Sequence, residues 1–209
     1  MFKIKTNQSN TSSTNKLRIE LESGFLLLFA FLYFLDDCGI IVALIPAVIF
    51  HEMGHVLTML FFGARPTCLT AALSGFSIDY SGDLSETQEL LTALSGPIFG
   101  LSIAVLFAKM GNLFESDYLL MNAGIGFVIN AFNLLPAKPL DGGRVIYFIL
   151  GKILGAKSAK IVSVIISYVF SLIVLLAGLH YILIGRGFAL FFAGIWLIIL
   201  QQNKTCKYY

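Results

Sequence analysis

Residues 39–62 read GIIVALIPAVIFHEMGHVLTMLFF. A helix needs about 20 mostly apolar residues to cross a bilayer, and this stretch is long enough. It also carries His51, Glu52 and His55 in its second half. Residues four apart share a face of a helix, so the two histidines point the same way and Glu52 stands beside them. This is the HExxH pattern, in which two imidazoles bind one zinc ion and the glutamate takes a proton from water. On a soluble helix the pattern is often no more than a polar face. Inside a span each ionisable group costs about 2.5–3.5 kcal/mol on insertion scales, so three together point to a metal site.

The rest of the chain has the same character. It has 209 residues, of which 57% are hydrophobic and 12% charged, about half the usual charge of a soluble domain. The apolar residues fall in runs at 24–35, 39–62, 90–110, 118–135, 159–179 and 182–200. The expected fold is an all-α polytopic membrane protein of six transmembrane helices. The first run is short and is lengthened by helical turns at 17–23, or else tilted; the last two are separated by a tight link near His180. One membrane domain, 17–200, follows a polar, disordered tail (1–16) and precedes a short C-terminal tail (201–209). Cys38, Cys68 and Cys206 have no CxxC spacing, which argues against a thiolate zinc site or a disulfide framework. A net charge of +2 with dispersed basic residues gives no support to nucleic-acid binding.

Between the second and third runs, residues 65–83 read RPTCLTAALSGFSIDYSGD. Small, β-branched and aromatic residues bounded by Pro and Gly predict a strand or β-hairpin after the HExxH helix. Open strand edges cannot face lipid, so this segment pairs with protein, lies in the interface or waits for a partner strand. With the N-terminus in the cytoplasm, twelve of the 14 basic residues fall on that side and only Lys109 and Arg186 opposite. Both termini are therefore expected in the cytoplasm.

A catalytic zinc takes three protein ligands and keeps one position open. The remaining histidine, His180, is expected at the opposite face, so a carboxylate is needed. Asp141 follows the fourth run in NLLPAKPLDGGR at 133–144. Pro136 and Pro139 break the helix there, and Gly142 and Gly143 permit a sharp turn. The alternative for Asp141 is an N-cap of a helix at 144–154. Gly96, Gly100, Gly124, Gly126 and Gly194 are expected to serve close helix packing.

FHEMGH at 50–55, LSGP at 94–97 and NLLPAKPLDGGR at 133–144 carry a resemblance. The chain resembles the site-2 protease family of intramembrane zinc metalloproteases (peptidase family M50), and within it the bacterial branch of stage IV sporulation protein FB. The resemblance covers about residues 17–200. It implies one Zn2+ per chain on His51, His55 and Asp141, with Glu52 as general base and later proton donor. It implies that Asn133 orients substrate or stabilises the oxyanion; the alternative is a helix-end hydrogen bond. The resemblance also implies that the segment is a membrane-associated β-hairpin, which would pair with an unwound substrate. The implied activity is hydrolysis of a peptide bond within or next to a transmembrane segment of a protein in the lipid bilayer of a bacterial cell, releasing a cytoplasmic fragment. A transcription-factor precursor, an anti-sigma factor and a remnant signal peptide are candidate substrates. Sporulation-type members often carry a C-terminal CBS module, for which the residues after the last run leave no room; no PDZ insert fits either. Two rivals remain. A zinc transporter would spread ligands across the membrane depth, whereas these cluster towards one face. An inactive homologue acting as a binding protein would have lost Glu52 or a ligand, and all are intact.

Overall fold

A computed structural model describes residues 17–73 and 75–202. The expected tail at 1–16 lies outside them, as does 203–209 of the expected C-terminal tail; Gln201 and Gln202 continue the last helix. In chain order the elements are β1 (Arg18–Leu21), α1 (Ser23–Leu35), α2 (Ile40–Phe61), β2 (Arg65–Ala72), β3 (Gly75–Ser81), α3 (Glu86–Leu113), α4 (Asp117–Asn133), α5 (Asp141–Leu154), α6 (Ala156–Leu183) and α7 (Ala189–Gln202). The chain is mostly helical with one small sheet.

Three helices, α2, α3 and α6, are long and apolar enough to cross a membrane. Six helices of full crossing length are not found among the described residues. The apolar helices α1 and α7 have 13 and 14 residues, which rise about 20 Å against a hydrocarbon core of about 30 Å. Helix α4 has 17 residues, and Pro136 lies just beyond its end. Many large apolar side chains face outward, Leu27, Phe31, Leu172 and Ile173 among them, which suits lipid as solvent rather than water.

The chain divides into two compact units, the first ending at Ala131 and the second beginning at Phe132. In the first unit the expected hairpin is present, with β2 antiparallel to β3 and Leu69 opposite Ile78. The pairing is irregular between Pro66 and Cys68, where proline has no N–H to give a ladder. Residues 17–23 do not extend the first helix. Arg18–Leu21 instead forms β1, parallel to β2, with Leu21 opposite Ala71. The sequence RIEL alternates in a way that suits an edge strand better than a buried helical turn. The sheet is anchored on α2 through Met59, Ala64 and Ile78, with Val56, Leu69, Tyr80 and Leu84 packed around them. The Tyr80 hydroxyl donates to the Glu89 carboxylate, tying β3 to α3.

Two helix starts have local causes. The Asp36 carboxylate accepts from the N–H groups of Ile41 at 2.6 Å and Cys38 at 3.2 Å, just before α2. The Ile41 N–H holds this carboxyl below the usual carboxylate range. Helix α3 begins four residues before the apolar run, because Ser85 and Gln88 form a reciprocal capping box that satisfies otherwise orphaned N–H groups.

In the second unit α5 packs on α6 and α6 on α7, around Ala137, Leu140, Val174 and Leu197. His180 is not at a link between spans. It lies within α6, which continues to Leu183, since nothing at 180 breaks a helix; the break comes at Gly185 and Gly187, both with positive φ. A Cβ on Gly178 would stand 2.3 Å from the Phe191 nitrogen, and one on Gly194 would stand 2.6 Å from the Leu175 Cα. These two glycines let α6 and α7 touch backbone to backbone. Gly124, grouped with them from sequence, has nothing within 4 Å of its Cβ position and serves no such contact. Gly178→Ala is therefore expected to destabilise the protein by about 1–3 kcal/mol. Gly124→Ala is expected to be neutral or slightly stabilising, because alanine favours the helix. Thermal unfolding of the detergent-solubilised variants measures both.

Candidate metal centre

The centre of α2 supplies two histidines one turn apart, both buried. Each has its Nδ1 engaged. His51 Nδ1 lies 2.8 Å from Asn130 Oδ1, and His55 Nδ1 lies 2.7 Å from the Thr92 carbonyl oxygen. These contacts fix the tautomers. A carbonyl can only accept, so His55 carries its proton on Nδ1. Asn130 donates its Nδ2 to the Gly126 carbonyl at 2.6 Å, so its Oδ1 faces His51 as an acceptor, and His51 also carries its proton on Nδ1. Both Nε2 atoms are then left with lone pairs.

Those two Nε2 atoms are 3.3 Å apart. Two neutral imidazoles so arranged cannot hydrogen-bond to each other and would repel. A cation between them removes the conflict. Two nitrogens bound at about 2.0–2.1 Å to a tetrahedral ion are about 3.3 Å apart. The pair therefore fits a metal ion, and its outer hydrogen bonds are those that orient metal-binding histidines.

Helix α3 makes room for this arrangement. A Cβ on Gly96 would lie 2.2 Å from His55 Nε2, and one on Gly100 would lie 2.2 Å from Asn130 Oδ1. The expectation that these glycines serve close packing is met, but their neighbours are the polar side chains of the site. Gly54, between the histidines, likewise brings α2 against α3: its Cβ would stand 2.5 Å from the Ser95 carbonyl oxygen. Gly126 does serve helix packing, facing Ala104 and Ala47.

Asp141 belongs to the second unit. It is the first residue of α5, preceded by Leu140 as N-cap, and it is buried. It is therefore inside the helix rather than capping it. Its Oδ1 lies 3.8 Å from Arg144 Nη1 across one turn, and both side chains are buried. A buried carboxylate needs positive charge nearby, and Arg144 supplies some. His51, His55 and Asp141 each offer one ligand atom, and together they are a donor set that could hold a metal ion.

Glu52 follows His51 on α2 and is only partly buried, as a group that exchanges protons with water must be. Asn133, half-buried, is the last residue of α4. Asn130 and Thr92, which hold the two histidines, were not singled out from the sequence; Gly96 and Gly100 were read only as packing glycines, and Arg144 only as the end of the NLLPAKPLDGGR motif. For Asn130 a signal was present: an amide in an apolar helix, two turns after Asn122, is costly and marks a partner.

Comparison with known proteins places these residues in context. Residues 111–177 match peptidase family M50. A zinc metalloprotease of Methanocaldococcus jannaschii is 26% identical over 144 residues, which cover 66% of this chain and 42% of that protein. The chain thus spans less than half the length of the curated relative it matches. A solved site-2 protease from Methanocaldococcus jannaschii superposes with a TM-score of 0.69 at 22% identity, covering 91% of this chain and 92% of the other. The fold is that of a site-2 protease.

Outer hydrogen-bond partners of metal ligands are typically worth 10–100-fold in affinity. Asn130→Ala is therefore expected to weaken zinc binding by about that factor, and Gly96→Ala to weaken it at least as much by displacing the His55 ring. Competition against a chelator of known affinity reads both.

Proposed function

We infer, from the match of residues 111–177 to peptidase family M50 and the similarity to a zinc metalloprotease, that the chain is an intramembrane zinc metalloprotease, and that it hydrolyses a peptide bond within or next to a transmembrane segment of another protein. The observation that carries this reading is the pair of Nε2 lone pairs held 3.3 Å apart inside an apolar helix, with a glutamate adjacent in the sequence. His51, His55 and Asp141 would hold one zinc ion per chain, which would supply an activated water for the reaction. Asp141 is favoured as third ligand by its burial and by the shortage of histidines; His180 lies on α6 and is exposed.

When bound, zinc lowers the pKa of a water towards neutrality and polarises the carbonyl it faces. Glu52 takes the proton from the attacking water and returns it to the leaving amine. Asn133 donates its amide N–H to the carbonyl oxygen as negative charge develops there. The substrate must be extended, because a helical peptide bond is shielded by its own hydrogen bonds. An extended strand can add to an exposed sheet edge, and in the order β1-β2-β3 the outer strands β1 and β3 both offer one; the β2–β3 hairpin makes β3 the candidate.

The bias of basic residues supports a cytoplasmic location for both termini and for the zinc side of the membrane, in which case cleavage would release a cytoplasmic fragment. A membrane-tethered transcription-factor precursor, an anti-sigma factor and a remnant signal peptide all have the required form.

Glu52→Gln is expected to abolish cleavage of a single-span test substrate, a loss of at least 10²–10⁴-fold as for removal of a general base, while zinc binding is retained. Cleavage at the wild-type rate in that variant, assayed in detergent or liposomes, would exclude the mechanism.

A further inference from the structure

Helix α6 carries Ser163, Ser167 and Ser171 at four-residue spacing, and all three are buried. In an apolar helix a serine ordinarily bonds back to its own preceding turn. Ser163 does so, donating to the Lys160 carbonyl at 3.1 Å. The Ser167 hydroxyl instead accepts from the backbone N–H of Lys138 at 3.1 Å. Lys138 is three residues before Asp141, in the segment that delivers this carboxylate to α5.

That segment is wound tightly. Ala137 donates its N–H to the Leu135 carbonyl at 2.7 Å and Leu140 to the Ala137 carbonyl at 2.8 Å. A Cβ on Gly142 would lie 2.1 Å from the Leu134 carbonyl oxygen, so the segment presses directly on the first turn of α5. Ala137 and Leu140 are buried among Val174 and Leu197. Apolar contacts of this kind hold the segment down but tolerate sliding, whereas a hydrogen bond to one backbone N–H fixes its register. The serine that makes the bond is itself held from the far side. Gln201 of α7 donates from Nε2 to the Ser167 carbonyl at 3.4 Å and to the Ser171 hydroxyl.

We propose that Ser167 is a positioning residue for Asp141: its hydroxyl pins the Lys138 backbone and so sets where the carboxylate is presented to the metal. The proposal rests on the reading of Asp141 as a zinc ligand. Metal ligands must be held to about 0.5 Å of their productive geometry, and a tie three residues away on a rigid turn acts at that scale. Gln201 extends the tie to the last helix.

The test uses the full chain in detergent, stripped of metal and titrated with zinc against a chelator, with thermal unfolding measured in parallel. Ser167→Ala is expected to weaken zinc binding tenfold or more, within the range known for outer-shell partners. Ser167→Thr keeps the hydroxyl and is expected to bind within about threefold of wild type. Ser163→Ala, on the same stripe, is expected to leave affinity unchanged. A folded Ser167→Ala variant that binds zinc as tightly as wild type overturns the proposal. If the alanine variant does not fold, Ser167→Cys, similar in size and a weaker acceptor, is judged by the same criterion. Asp141→Ala separates the two levels. Undiminished zinc binding in that variant removes the metal-centre reading itself, and with it the role of Ser167. Loss there, with none in Ser167→Ala, removes only the positioning role.

Discussion

The hydrogen bond from His51 Nδ1 to Asn130 Oδ1 is the contact on which the first unit turns. An imidazole inside an apolar helix needs a partner, because a buried unsatisfied polar group costs about 1–3 kcal/mol. Asn130 meets that need and, through its bond to the Gly126 carbonyl, can present only its oxygen. The tautomer of His51 follows, and with it the direction of its Nε2 lone pair. The Thr92 carbonyl does the same for His55. Neighbours on α3 and α4 thus hold the two imidazoles with their Nε2 atoms 3.3 Å apart, an arrangement that fits a metal ion.

Small residues are the other half of the arrangement. Polar side chains need space where apolar helices would otherwise close up, and Gly96 and Gly100 provide it one turn apart. The second unit solves a related problem with different means. There a non-helical segment is held against Gly142 and pinned by Ser167, so that α5 can begin with Asp141. Non-helical backbone is tolerated at membrane depth only when its polar groups find partners, and the serine ladder of α6 provides one.

Much of this was legible in the sequence. The HExxH run is a helix, as its apolar length demanded, and the hairpin lies at 65–81, where Gly75 and the β-branched residues placed it. The prolines of the NLLPAKPLDGGR motif do separate two helices, although the second starts at Asp141 itself and not at 144. What could not be read were the long-range pairings. RIEL alternates as an edge strand can, but that it pairs with β2 is a long-range contact no local pattern states. The role of Asn130 depends on which residue of α2 it meets 79 positions away. Window hydropathy also blurred the helix ends: α3 gains a capped polar first turn, α6 runs past His180, and α7 falls short of a full span. Caps and glycine turns, rather than hydropathy, set those limits.

The central claim is that two imidazoles of α2 and a carboxylate hold one zinc ion. X-ray absorption at the zinc edge, on the full chain loaded with one equivalent of zinc, reads the donor set directly. The account predicts two imidazoles with oxygen donors, all at about 2.0–2.2 Å, and no sulfur. A zinc–sulfur shell at about 2.3 Å, or scattering from fewer than two imidazoles, would contradict it.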